Sequence, residues 1–461
     1  MTRPATTRPV FTAAGSCNDV GTTGALREPI PKQEFTVSKK HLNAVAVTLA
    51  FAASLTGCSV NPVTGEKQLS LIPESQELAM GAEQYIPTQQ TQGGRFYVDP
   101  ELTLYVQQVG QKLARVSDRP DLPFEFVVLN SSVPNAWALP GGKIAVNRGL
   151  LTQLEDEAQL AAVLGHEIVH AAARHSVQRL QQAQLISLGV AGLGFAVSDN
   201  EWAGLAMGTA ALGAQLALAQ YSQGDELEAD HYGITYMKRA GYDPQAAVEL
   251  QELFVKLSEG RDQNFLQGLF ATHPPSVRRV RENQALVNRI GAGGYRGADA
   301  YQRKLATLRQ LQPAYDAHDE ALALASDGHY QEALDKINEA IRRLPREAMF
   351  YSLRGRLHQA LDQREKAEAD FDKAIALYPE MFEYQLRGGL NALALGELET
   401  ARQRLTRANQ SVPTSIAYLR LGDIAVRQGR RAEAITAYRQ AAQSDDEIGA
   451  EARQKLAELT Q

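Results

Sequence analysis

Apolar residues fall into several distinct patterns along this chain, and each pattern predicts a different element. A nearly unbroken apolar run covers 42–54. It is short of the about 20 residues that a membrane span needs. Further on, Asp99-Pro100 supplies an N-cap and a first helical residue, which predicts a helix to about Arg115. Residues 124–129 are β-rich. The stretch 136–146 predicts a strand pair or a kinked edge strand, because Pro140, Gly141 and Gly142 exclude a regular central strand. Residues 157–181, rich in Ala, Leu and Gln, predict one long helix. A second helix opens near Ser222, runs to Ala240 and stops at Gly241. Between these two helices, 186–197 and 203–220 are apolar and rich in Gly and Ala, broken by Ser198-Asp199-Asn200-Glu201. The first arm has only 12 residues, too few for a span, so buried helices or a lid over a cleft are expected. From residue 316 onward amphipathic helical stretches follow one another, such as 367–377 with Phe371, Ala374 and Ile375.

At 461 residues the chain is too long for one core and suits two or three domains. With 44% hydrophobic and 22% charged residues it is neither a disordered nor a polytopic membrane protein. The formal charge is −6 and no dense basic run exists, which argues against nucleic acid as a partner. Its two cysteines, Cys17 and Cys58, make no disulfide framework and no CxxC metal site. Any metal site must therefore use His and carboxylates, and nine histidines are available.

The front end reads as an address. Lys39 and Lys40 precede the apolar run, and Leu55-Thr56-Gly57-Cys58 follows it. A basic region, a short apolar region and small residues describe a secretory signal. The ending resembles a bacterial lipobox, which implies cleavage before Cys58 and lipidation of its thiol; the alternative is a signal peptide with an incidental cysteine. Signals usually begin just before their basic residues, so Val37 stands where a start is expected, and 1–36 fit poorly. Ser59, rather than an Asp, favours the outer membrane.

The last third repeats. Pro345, Pro379 and Pro413 recur every 34 residues; Ala333, Ala367 and Ala401 keep the same step, as do Gly355 and Gly389. Gly422 and Ala434 arrive one residue early, as a shortened turn between repeats would explain. Small residues let paired helices approach, and Pro ends the second helix of each pair. This pattern resembles the tetratricopeptide repeat (TPR), with about four helix pairs over 316–459. An ordinary bundle would not keep three marks in phase. Such repeats stack and offer a concave groove to a protein or peptide.

The candidate chemistry lies at His166-Glu167-Ile168-Val169-His170. Residues four apart share a helix face, so both histidines can reach one metal ion. Glu167 stands close enough to hydrogen-bond a water on that metal without being a ligand. Zinc suits imidazole ligands and a free position. A third ligand is needed. Glu226 and Asp230 share a face of the second helix and Glu228 points elsewhere, so Glu226 could complete a His₂Glu site with Asp230 orienting a ligand histidine. A solvated acidic helix start, favoured by the helix dipole, accounts for Asp225, Glu226 and Glu228 equally well.

HExxH followed by the helix carrying Ser222, Glu226, Ala229 and Asp230 resembles the zinc metallopeptidases related to the CAAX prenyl proteases and the heat-shock membrane protease. Asn135-Ala136-Trp137-Ala138 with Pro140-Gly141-Gly142, Asn147-Arg148-Gly149-Leu150-Leu151 and Ala173-Arg174-His175 match as well. The resemblance covers about 60–290, and the repeats point to a TPR-bearing, periplasmic branch of the family. It implies one zinc per chain held by His166, His170 and Glu226, with Glu167 as base. Gln223 stands where Arg is usual, which would loosen a salt bridge near the site; Trp137 replaces a usual Phe. In the family a His-Pro like His273-Pro274 lies near the metal, which makes His273 a fourth ligand or an oxyanion stabiliser; a plain loop cap is the other reading. His175 and His231 read as structural.

The expected fold is mainly α with a small β-sheet: a gluzincin-like metallopeptidase domain, then TPR repeats. The expected divisions are a leader over 1–57, the peptidase over 58–295, a linker over 296–315 and the TPR domain over 316–461. The resemblance implies a periplasmic zinc endopeptidase, anchored through Cys58 to the inner face of the outer membrane. Its substrates would be misfolded or stalled outer-membrane proteins, lying along the 135–139 edge as an added strand. Its groove would bind the outer-membrane assembly machinery, with no nucleic acid involved. The alternative is a TPR chaperone or docking module with latent protease activity.

Overall fold

The computed structural model describes residues 58–181, 221–259 and 269–461. The leader and both apolar arms expected at 186–197 and 203–220 lie outside these residues. Within them the elements run β1 (Cys58–Val60), β2 (Lys67–Leu69), α1 (Glu74–Thr91), α2 (Pro100–Ala114), β3 (Glu125–Leu129), β4 (Ala136–Leu139), β5 (Lys143–Asn147), α3 (Arg148–Leu151) and α4 (Glu157–Ala172). After the first gap come α5 (Gln223–Arg239) and α6 (Gln245–Glu259), then α7 (Val277–Ile290) and α8 (Ala298–Lys304). No helix among the described residues is long and apolar enough to cross a membrane.

The expected start of α2 is met, with Asp99 accepting from Leu102 N at 3.3 Å. The 136–146 stretch is a strand pair. Pro140, Gly141 and Gly142 fall in its turn, and the two glycines take positive φ of 73° and 80°. The strand after the turn is thereby free to be central: the order is β3-β5-β4, with β3 parallel and β4 antiparallel to β5. This leaves β4 at the edge. Helix α4 packs beneath the sheet, and Glu157 is its one residue that is not fully buried. Its contact with α5 is close because both helices lack a side chain there: a Cβ on Gly233 would lie 2.9 Å from His166 N.

Two expectations need correction. The helix predicted over 157–181 is broken in two: it stops at Ala172, Arg174 takes the left-handed conformation with φ 65°, and helix resumes over 175–181. The Arg174 guanidinium anchors that turn, donating to Ile72 O at 2.6 Å and to Ser70 Oγ at 3.1 Å and pairing with Glu77 at 2.8 Å. These contacts offset the cost of a left-handed residue that has a Cβ. The stretch 296–315 is not a free linker. It forms α8 and the first half of α9 (Ala306–Ser326), with Tyr301, Leu305 and Leu308 fully buried at helical spacing. Tyr301 Oη also donates to Leu151 O at 2.7 Å, tying the segment to the helix that follows β5.

Four antiparallel helix pairs follow: α9 with α10 (Tyr330–Arg343), α11 (Ala348–Ala360) with α12 (Arg364–Leu377), α13 (Phe382–Ala394) with α14 (Leu398–Ser411), and α15 (Ser415–Arg427) with α16 (Arg431–Ala441). A last helix, α17 (Glu447–Thr460), covers the end. The repeat marks are packing positions. Ala333, Ala367, Ala401 and Ala434 are wholly buried. Gly355, Gly389 and Gly422 each face the residue sixteen further on, Phe371, Leu405 and Tyr438, so closely that a Cβ would clash. The repeats dock on the part that carries the sheet and α4: the Arg148 guanidinium lies 3.6 Å over the Tyr315 ring, and buried Glu347 accepts from Tyr315 Oη at 2.7 Å and Asn130 Nδ2 at 3.1 Å.

Candidate metal centre

Helix α4 opens at Asp156, whose side chain accepts from Gln159 N at 2.8 Å, and it carries His166 and His170 on one face. Their Nε2 atoms converge to 3.0 Å. Helix α5 opens with a capping box between Ser222 and Asp225, so Asp225 serves the helix end and Glu226 turns inward. Glu226 Oε1 stands 3.3 Å from His170 Nε2, and Oε2 stands 3.6 Å from His166 Nε2. His273, from the loop before α7, brings Nδ1 to 3.0 Å from Glu226 Oε1 and 3.3 Å from His166 Nε2. Ligand atoms of His166, His170, Glu226 and His273 all lie within 4.8 Å of one another, and all four residues are buried.

The surroundings set the protons. Asp230 Oδ1 lies 2.9 Å from His166 Nδ1; a carboxylate accepts, so that nitrogen donates and Nε2 faces the cluster. Burial would raise the Asp230 pKa, but Arg279 and His166 outweigh it and hold the group at about 2. Burial would lower His166, yet Glu226 and Asp230 lift it to about 10. For Glu226 the burial penalty is overcome by His273, His166 and Arg279, which hold it well below the carboxylate range. Burial takes His170 far below its ordinary value and raises Glu167. Three imidazoles and an ionised carboxylate are a donor set that fits a divalent cation of the zinc type.

Glu167 is 2% exposed, with Oε1 at 3.5 Å from His273 Nε2 and Oε2 without a hydrogen bond among the described residues. Beside it opens a small cavity of about 50 Å³, whose walls include Val163, Leu250, Phe254 and Leu269. Ala136 of the edge strand also lines it.

Sequence reasoning missed Arg279. It pairs with Glu226 at 2.7 Å and with Asp230 at 2.7 Å from inside the core, while neighbouring Arg278 is exposed. Nothing local separates the two arginines. Gln223 is exposed, and the ion pairs beside the site are made by Arg279. Trp137 is buried and donates to Gln92 Oε1 at 2.9 Å. Glu228 faces away from the cluster, toward Asn61 and His175. His175 is buried with Nδ1 at 2.8 Å from His170 Nδ1, whereas His231 is exposed. Tyr221 stacks on His170 at 3.7 Å.

Residues 100–287 match the family model of peptidase family M48, and 318–382 and 386–447 match that of the tetratricopeptide repeat. The chain is thus an M48 domain followed by TPR repeats. It is similar to a beta-barrel assembly-enhancing protease of Yersinia pestis, 31% identical over 50% of this chain and 47% of that one. The protein of the same name from Escherichia coli K12 is 27% identical over 67% of this chain and 61% of that one. A mitochondrial metalloendopeptidase, OMA1, of Schizosaccharomyces pombe is 35% identical over 39% of this chain and 51% of that one. The chain therefore spans roughly half to three fifths of the length of these relatives.

Proposed function

We propose that this chain is a zinc-dependent endopeptidase in which His166, His170 and Glu226 hold the metal and Glu167 is the general base. The convergence of four buried donor atoms beside an unpaired carboxylate oxygen carries this reading. When bound, zinc supplies Lewis acidity for a carbonyl and lowers the pKa of water. Glu167, raised by burial, takes the proton of the attacking water and returns it to the leaving amine. Asp230 and Arg279 fix the orientation of His166 and Glu226. The substrate backbone adds to the β4 edge at 135–139, beside the apolar cavity.

The names of the relatives and the lipobox-like 55–58 support a location in the periplasm, anchored through Cys58 to the outer membrane, with misfolded or stalled outer-membrane proteins as substrates. The TPR groove would then hold assembly partners. A second reading, a docking module with latent proteolysis, is favoured by the position of His273 among the ligand atoms. Zinc content and casein cleavage of wild type against Glu167→Gln test the proposal. One zinc per chain with cleavage lost only in the variant supports it; equal cleavage by both overturns it.

A further inference from the structure

Apart from the four donor residues, a second line of polar side chains runs from the amino-terminal hairpin to His170. Asn61, just past β1, donates through Nδ2 to Glu228 Oε1 at 3.1 Å. The same oxygen stands 3.3 Å from His175 Nε2, whose next carboxylate neighbour, Asp225 Oδ1, is at 4.0 Å. His175 Nδ1 faces His170 Nδ1 at 2.8 Å, and both rings are 1% exposed. His175 reaches His170 only because the chain turns at Arg174. On an unbroken helix a residue five further on would point about 140° away.

The order of protons along this line follows from which groups can accept. Two ring nitrogens at hydrogen-bond distance need one donor and one acceptor. The Glu228 carboxylate stands 3.3 Å from His175 Nε2 without hydrogen-bond alignment, so it acts through its charge: it favours the proton on Nε2 over Nδ1 and leaves a lone pair on His175 Nδ1. The donor in the 2.8 Å contact is then His170 Nδ1. His170 Nε2 is left with its lone pair aimed at Glu226 and His166. The opposite order, with the proton on His175 Nδ1, would put the His170 proton on Nε2 and close that nitrogen to a cation. His166 gets the same service from Asp230 directly.

We propose that Asn61, Glu228 and His175 are positioning residues that set the tautomer of His170 and present its Nε2 to a divalent cation. This rests on the metal-site reading above. Partners of a ligand's outer nitrogen typically contribute about 10–100-fold in metal affinity. The roles differ in kind: Glu228 orders the protons, His175 relays the order, and Asn61 fixes the Glu228 oxygen from a different part of the chain. Tyr221, stacked on His170, restricts the ring from the side.

The test is zinc affinity of the full chain by competition with a chromophoric chelator, together with the absorption spectrum of the cobalt(II) form. His175→Leu and Glu228→Leu remove the acceptors and should weaken zinc about 10–100-fold and alter the cobalt spectrum. His175→Gln, whose amide oxygen can accept from His170, should recover most of the loss. Asn61→Ala should lose less than either Leu variant. Equal losses in His175→Gln and His175→Leu would report packing alone and overturn the proposal. Unchanged affinity in folded Leu variants would overturn it too. Should those variants not fold, ring proton–nitrogen correlations of zinc-loaded wild type decide: protons on His170 Nδ1 and His175 Nε2 support it, and a proton on His175 Nδ1 overturns it. Wild type that takes up no zinc overturns the metal-site reading itself; zinc uptake with indifferent variants overturns this inference alone.

Discussion

His273 Nδ1 lies 3.0 Å from Glu226 Oε1, so a histidine from a loop shares the space that two helices enclose. As a fourth ligand it would occupy the position that water needs. His273→Ala is then expected to increase proteolysis, self-cleavage included, while zinc stays on His166, His170 and Glu226. Casein cleavage beside a double variant with Glu167→Gln measures this. A fall of about 10²–10³ would assign His273 to oxyanion stabilisation instead, and unchanged activity would remove it from the site.

Glu167→Gln should keep the fold and the zinc but lower peptide hydrolysis by about 10²–10⁴-fold. The amide has the shape of the carboxylate and cannot take the proton. Turnover close to wild type would sink the general-base role.

Glu226→Gln should weaken zinc far more than Glu228→Gln. Glu226 is 1% exposed among the donor atoms, whereas Glu228 acts through His175, and a glutamine oxygen there can still accept. Equal zinc retention in the two variants, or the reverse order, would show that the wrong carboxylate was chosen.

Arg279→Met should destabilise the metal-free protein by about 3–5 kcal/mol, since it takes the guanidinium from two buried carboxylates, Asp230 and Glu226, and leaves them to the neighbouring imidazoles. The pH dependence has a definite sign. Asp230 is held at about 2, below its unfolded value near 4, so its contribution is full above pH 4 and is lost as pH falls toward 2. Urea unfolding of metal-free wild type should lose stability across that window. In Arg279→Met burial raises the Asp230 pKa toward or above its unfolded value, so the loss on acidification should shrink or reverse; identical profiles would refute the coupling.

Much of this protein is written in short-range periodicity. The four-residue step of His166 and His170 fixes a shared helix face wherever the helix is packed, and the glycines among the 34-residue marks map to close approaches between paired helices. The turn residues 140–142 marked a strand pair or a kinked edge strand in the same way, and Gly141 and Gly142 carry out the reversal locally. Such signals survive in the sequence since the interacting residues are near neighbours along the chain.

Other features depend on how distant segments dock. Spacing put Glu226 on one face with Asp230 and Glu228 on another, but a solvated acidic helix start accounted for these carboxylates equally well. The close seat of α5 on α4 at Gly233, seven residues after Glu226, decides which face turns inward. The burial of Arg279 against Asp230, and the approach of Asn61 to Glu228 across 167 residues, leave no periodic trace. The break at Arg174 follows from partners at Ser70, Ile72 and Glu77, about a hundred positions earlier. Residues 296–315, expected as a linker, become core because Tyr301, Leu305 and Leu308 meet an apolar surface made by other helices. Local sequence fixes which residues share a face; tertiary packing alone fixes what that face meets, because desolvation and pairing energies belong to contacts between segments, not to any segment by itself.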